Sequence, residues 1–130
     1  LDEFVTKRHI IANRYEDLLV DLPVTTPWQH PDSYSSYHLY PIRIKLDGNK
    51  QTQRKIYDAL QLADIRANLH YIPVYRQPYY EAMGFKTGYC PKAEEYHKEV
   101  ISIPMYPTLS NIQQAYVTES LRLVLRGKTS

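Results

Sequence analysis

Apolar positions first recur at helical spacing, with Phe4, Ile11, Tyr15 and Leu18/Leu19 sharing a stripe with Arg8 while Lys7, Asn13, Glu16 and Asp17 fall opposite. That period predicts an amphipathic leading helix ending near Asp21, before Pro23. Residues 23–36 hold Pro23, Pro27, Pro31, Asp32 and three serines, which is loop chemistry because fixed backbone angles and missing donors prevent regular pairing. Trp28 in that loop is expected to dock onto another surface. Alternation from Tyr37 to Lys45 predicts a strand, in which Pro41 is best tolerated at an edge or an irregularity. Asp47-Gly48-Asn49-Lys50 reads as a turn.

Ile56, Ala59/Leu60 and Ala63 predict a second helix over 51–63, and Arg66 to Tyr71 reads as a second strand, stopped by Pro73, that delivers His70 and Tyr71 at its end. Pro78 and Pro91 each suit the first turn of a short helix, and Gly84 is placed to close the first of these. Val100 to Ile103 is a third strand. Thr108 or Ser110 can then cap a last helix, ended by Gly127, that turns either Ile112, Ala115/Tyr116, Glu119 and Leu123 or Val117, Leu121 and Val124 to the core. This order argues an α+β fold, a small sheet of about three strands with helices covering one face. It divides into a leading helix at 1–22, a loop at 23–36 and an α+β body at 37–126.

At 130 residues the chain suffices for one modest core and is too short for a two-domain catalytic architecture. The 16 Lys+Arg and 14 Asp+Glu are scattered without a block, so a nucleic-acid partner has little support. No apolar stretch is long enough to cross a bilayer, and the start lacks a signal-peptide pattern. A soluble, cytoplasmic protein without a membrane partner is the expectation. Cys90 is the only cysteine, which excludes an intrachain disulfide and a cysteine metal cluster and suggests a small buried filler before Pro91. His9, His30 and His97 have no ligand spacing, so no metal is expected. Gly48, Gly84, Gly88 and Gly127 stand apart, with no phosphate-cradling or dinucleotide fingerprint.

Tyrosine is the compositional outlier, at 13 beside 2 Phe and 1 Trp. Six lie between Tyr71 and Tyr96, and such rings suit sugar or nucleotide sites because they offer an apolar face with a polar tip, although partly buried tyrosines on a small sheet would also account for them. The densest stretch is Leu69-His70-Tyr71-Ile72-Pro73-Val74-Tyr75-Arg76-Gln77-Pro78-Tyr79-Tyr80, closed by Gly84-Phe85. His70 and Tyr71, at a strand end entering a proline-rich turn, could present an imidazole and a phenol to a phosphate or a sugar hydroxyl.

With Ser35-Ser36-Tyr37-His38-Leu39, Cys90-Pro91-Lys92-Ala93-Glu94 and Ile101-Ser102-Ile103-Pro104-Met105-Tyr106-Pro107, that stretch resembles the C-terminal segment of DegT-type nucleotide-sugar aminotransferases. Within the family the likeness is nearest to the pseudaminic-acid branch, which aminates a UDP-linked 4-keto-6-deoxy-N-acetylhexosamine at C4. The resemblance implies a small domain of a fold-type I enzyme that uses pyridoxal phosphate (PLP), with a UDP-sugar and glutamate as substrates and a homodimer as the assembly. It also implies that His70, Tyr71, Tyr75 and Tyr79 border the sugar nucleotide, with Tyr75 standing where relatives often carry histidine. Tyr79 is preferred to Tyr80 on the premise that neighbours on a short helix point apart. His38 is expected as a satisfied histidine within the sheet, and Glu94 as a helix-start carboxylate.

PLP chemistry needs a lysine to hold the cofactor, a carboxylate for its ring nitrogen and a phosphate cup. None of the lysines here stands in such a setting, and the family takes those groups from a large N-terminal domain. No catalytic residue is therefore assigned, and this chain alone is expected to bind no PLP and to be inactive. Two rivals stay open: a stand-alone module whose tyrosines stack on sugars or bases, and a PLP-dependent sugar dehydratase of the same family.

Overall fold

The computed structural model describes residues 1–46 and 51–127, so the turn expected at Asp47–Lys50 lies outside the described residues. The leading helix, α1, spans Asp2–Leu19 and buries Ile11, Ala12, Tyr15 and Leu19. Strands β1 (Val24–Thr25), β2 (Tyr40–Ile44) and β3 (Val100–Ile103) form one antiparallel sheet in the order β1-β2-β3. Between β2 and β3 come α2 (Gln53–Leu62), a single 3-10 turn (Val74–Arg76), α3 (Pro78–Ala82) and α4 (Pro91–Glu99), and α5 (Asn111–Leu125) follows β3. The α+β architecture read from the sequence is the one observed.

Tyr40, Ile42 and Ile44 alternate inward along β2 and meet α1, α2 and α5 in one core with Tyr15, Ile56, Leu60, Val117 and Leu121. The second of the two faces open to α5 is the buried one, while Ile112 is 83% exposed. Gln114, 1% exposed, donates from Nε2 to the Ile11 carbonyl at 2.7 Å and so fixes α5 against α1. Tyr15 donates to the Pro104 carbonyl at 2.8 Å, tying α1 to the end of β3.

The cover is wider than the one-sided layer expected. Arg43 points away from the core to α4, where its guanidinium donates to Glu99 at 2.7 Å and lies 5.7 Å from the Tyr96 ring. Every residue of β3 is buried.

The expected strand from Arg66 to Tyr71 reduces to one bridge, Asn68 to Ser102. Asp64 has φ +58, and Ala67 N–H bonds the Ile65 carbonyl at 2.9 Å, so a tight turn occupies residues that an extended strand would need. Val24–Thr25 pairs with Ile44 and Arg43 inside the segment expected to be all loop. Two residues between prolines are too few for alternation to register. β2 also begins later than Tyr37, because Tyr37 has φ +44 and turns the chain there. His38 is thus exposed and outside the sheet, contrary to expectation.

Pro41 is explained by register. Ser102 gives both its N–H and its carbonyl to Asn68, so the Pro41–Ser102 pair is a non-bonded one, and the Pro41 nitrogen faces the side that β1, ending its pairing at Arg43, does not reach. Ser110, not Thr108, caps α5, accepting from Gln113 N–H at 3.2 Å while Gln113 Oε1 accepts from Ser110 N–H at 2.9 Å. Ser110→Ala is expected to cost about 0.5–2 kcal/mol in urea denaturation. Thr108→Ala should stay within about 0.5 kcal/mol.

Candidate functional site

The chain leaves the body at His70, whose Nε2 lies 2.8 Å from the hydroxyl of Ser102, itself 2% exposed. One ring nitrogen is thereby pinned to a rigid strand. Tyr71 follows at 94% exposure, its side chain in solvent. Pro73 then directs the chain into the 3-10 turn, α3 and α4, none of which contains a buried residue. Pro78 starts α3, Pro91 starts α4, and Gly84 at φ +101 follows α3, as the sequence predicts.

Rings hold this arm together. Tyr79 meets Tyr80 at 5.2 Å, Tyr80 meets Phe85 at 6.2 Å, Phe85 meets Tyr89 at 4.9 Å, and Tyr89 meets Tyr75 at 5.4 Å. Tyr79 and Tyr80 therefore do not point apart: helix neighbours differ by about 100°, and these two rings pack edge to face. Tyr79 remains the more open of the pair, at 71% exposure.

Tyr75 stands differently from the other three candidates. Its hydroxyl donates to Glu94 Oε1 at 2.5 Å, and the same oxygen accepts from Gly88 N–H at 2.7 Å. These two donors hold the Glu94 carboxyl below the ordinary carboxylate range, while desolvation and then the adjacent carboxylate raise the Tyr75 phenol. Glu94 thus does more than meet the start of a helix.

Two clefts lie beside the sheet without including His70, Tyr71, Tyr75 or Tyr79. One, of about 880 Å³, takes His38, Arg66, Asn68, Ser102, Met105 and Tyr116 among its walls. Ser102 joins it to His70. The other, of about 620 Å³, shares His38 and Leu39 and has Trp28 and Pro27 among its walls. His38 and Ser102 were not expected to line a cleft; His38 does so from just beyond the turn at Tyr37, outside the sheet. Trp28 is 80% exposed and meets the His30 ring edge-on at 5.7 Å, short of the docking expected of it. Cys90 is exposed and so is no buried filler. His9, by contrast, organises the 23–39 loop, bonding the Ser35 carbonyl at 2.8 Å and stacking on Tyr34 at 4.2 Å.

Lys7, Lys45, Lys55, Lys86, Lys92 and Lys98 are all exposed, and none lines either cleft. Among the described residues no group of His, Cys, Asp and Glu could hold a metal ion, and no helix is long and apolar enough to cross a membrane.

Residues 1–122 match the model of the DegT/DnrJ/EryC1/StrS aminotransferase family. The chain belongs to that family. It is 32% identical over 130 residues to the spore coat polysaccharide biosynthesis protein SpsC of Bacillus subtilis, covering 98% of this chain and 33% of the relative. It is also 32% identical over 106 residues to the UDP-4-amino-4,6-dideoxy-N-acetyl-beta-L-altrosamine transaminase of Helicobacter pylori, covering 80% of this chain and 28% of that protein. The crystal structure of DesV from S. venezuelae superposes with a TM-score of 0.84 at 26% identity, over 95% of this chain and 32% of that one. The chain spans about a third of the length of the relatives it matches.

Proposed function

We propose that this chain is the C-terminal small domain of a PLP-dependent aminotransferase that aminates a UDP-linked 4-keto-6-deoxy sugar, in the pseudaminic-acid manner, with glutamate as donor and a homodimer as the working assembly. The observation that carries this reading is the family match over residues 1–122, with a UDP-amino-sugar transaminase among the relatives. PLP supplies the electron sink for amino transfer. The exposed lysines here do not fit it, so cofactor groups belong to the other part of the enzyme. His70, Tyr71 and Tyr79 border the sugar nucleotide, and Tyr75 keeps a place at that rim through its ring while its hydroxyl is engaged inside the arm.

A domain that supplies one wall of a pocket should bind its ligand poorly alone. The 130-residue chain is expected to bind a UDP-sugar with a Kd weaker than about 1 mM by calorimetry, and to give no lysine-bound cofactor absorbance on adding PLP. Micromolar binding lost in Tyr75→Ala or Tyr79→Ala would instead mark a self-sufficient sugar- or nucleotide-binding module.

A further inference from the structure

The arm between His70 and Val100 is fastened to the body at both ends, and none of its helical elements contains a buried residue. Its start is fixed by the Asn68–Ser102 bridge and the His70–Ser102 contact. Its end is fixed because Arg43 bonds Glu99 and because Gln53 Nε2 donates to the His97 carbonyl at 2.9 Å. α4 is therefore a post anchored at its C-terminal end. The 3-10 turn and α3 have no buried residue to anchor them.

Glu94, in the first turn of α4, ties the 3-10 turn and the segment after α3 to the post. One of its oxygens receives Tyr75 from the 3-10 turn and Gly88 N–H from the segment between α3 and α4. The phenol has a single proton, and the carboxylate at 2.5 Å claims it over the Cys90 carbonyl at 3.2 Å; Cys90 N–H in turn donates to the phenol oxygen at 3.3 Å. Gly88 has φ +90, a conformation side chains rarely adopt, and that conformation accompanies its N–H bond to Glu94. Arg76 and Lys98 add positive charge around the carboxylate.

We propose that Tyr75 and Glu94 form a latch that closes the arm and so positions Tyr71 and Tyr79; only the use of those two side chains rests on the sugar-site reading above. Tyr75 is then a positioning residue through its hydroxyl. Losing one hydrogen bond to a charged group should release the arm while leaving the core intact.

The test is amide hydrogen exchange by NMR on the 130-residue chain carrying Tyr75→Phe, Glu94→Gln or Glu94→Ala. In Tyr75→Phe the Gly88 amide is expected to exchange about tenfold faster or more, with ring NOEs between residue 75 and Tyr89 weakened and Ile42 exchange unchanged. Glu94→Gln keeps an acceptor oxygen and should stay nearer the parent than Glu94→Ala. Gly88 exchange changed by less than about twofold in both Tyr75→Phe and Glu94→Ala, or an equal rise at Ile42, would overturn the latch. No nucleotide sugar enters this assay, so its outcome is separate from that of the sugar-site reading.

Discussion

His70→Ala, in the enzyme proposed here, is expected to lower kcat/KM for the nucleotide sugar while leaving the amino-donor half-reaction largely intact. The imidazole is held through Nε2 by a hydroxyl on a buried strand, so its orientation is set before any ligand arrives. A hydrogen bond from such a group to a charged phosphate is worth about 1.5–3 kcal/mol, or roughly tenfold to over a hundredfold in kcat/KM. Tyr71→Ala should act in the same direction, since its ring is 94% exposed in this domain and packs on nothing that its loss would disturb. Stopped-flow spectra can follow each half-reaction alone. A sugar half-reaction within about twofold of the parent for both variants would take both residues out of the sugar site.

The second large effect belongs to the fold. Tyr15→Ala removes a fully buried ring that lies 5.0 Å from the Tyr40 ring, and deletes the donor to the Pro104 carbonyl. Loss of a buried aromatic side chain costs about 3–5 kcal/mol, a large share of the 5–15 kcal/mol typical of a domain. Tyr15→Phe keeps the ring and should cost about 0.5–1.5 kcal/mol. Urea denaturation of the two variants separates packing from the hydrogen bond. Equal losses would mean that the carbonyl contact, not the ring, holds α1 to the sheet.

Long periodic segments were the legible part of this chain. α1, α2 and α5 each repeat an apolar stripe over several turns, and prolines and glycines announce where α3, α4 and β3 begin or end. What stayed hidden depends on pairing and on single backbone angles. The Asn68–Ser102 bridge imitates a strand in composition, β1 is two residues long, and Tyr37 looks like any strand tyrosine until its φ of +44 is known. At the candidate site, the sequence singled out His70 and the tyrosines by composition and family likeness. It gave no sign that Ser102 reaches His70 or that Tyr75 reaches Glu94, contacts between residues 32 and 19 positions apart, nor that the positive φ of Gly88 turns its N–H to the same carboxylate.

Because Asn68 is paired with Ser102, the arm leaves and rejoins the body at neighbouring points. Closing such an excursion costs only about 0.6 kcal/mol more for each doubling of its length, and none of the side chains of α3 or α4 is part of the buried core. The arm is thus an exchangeable cassette. Its length and its rings can change at little cost to the core that the rest of the chain builds.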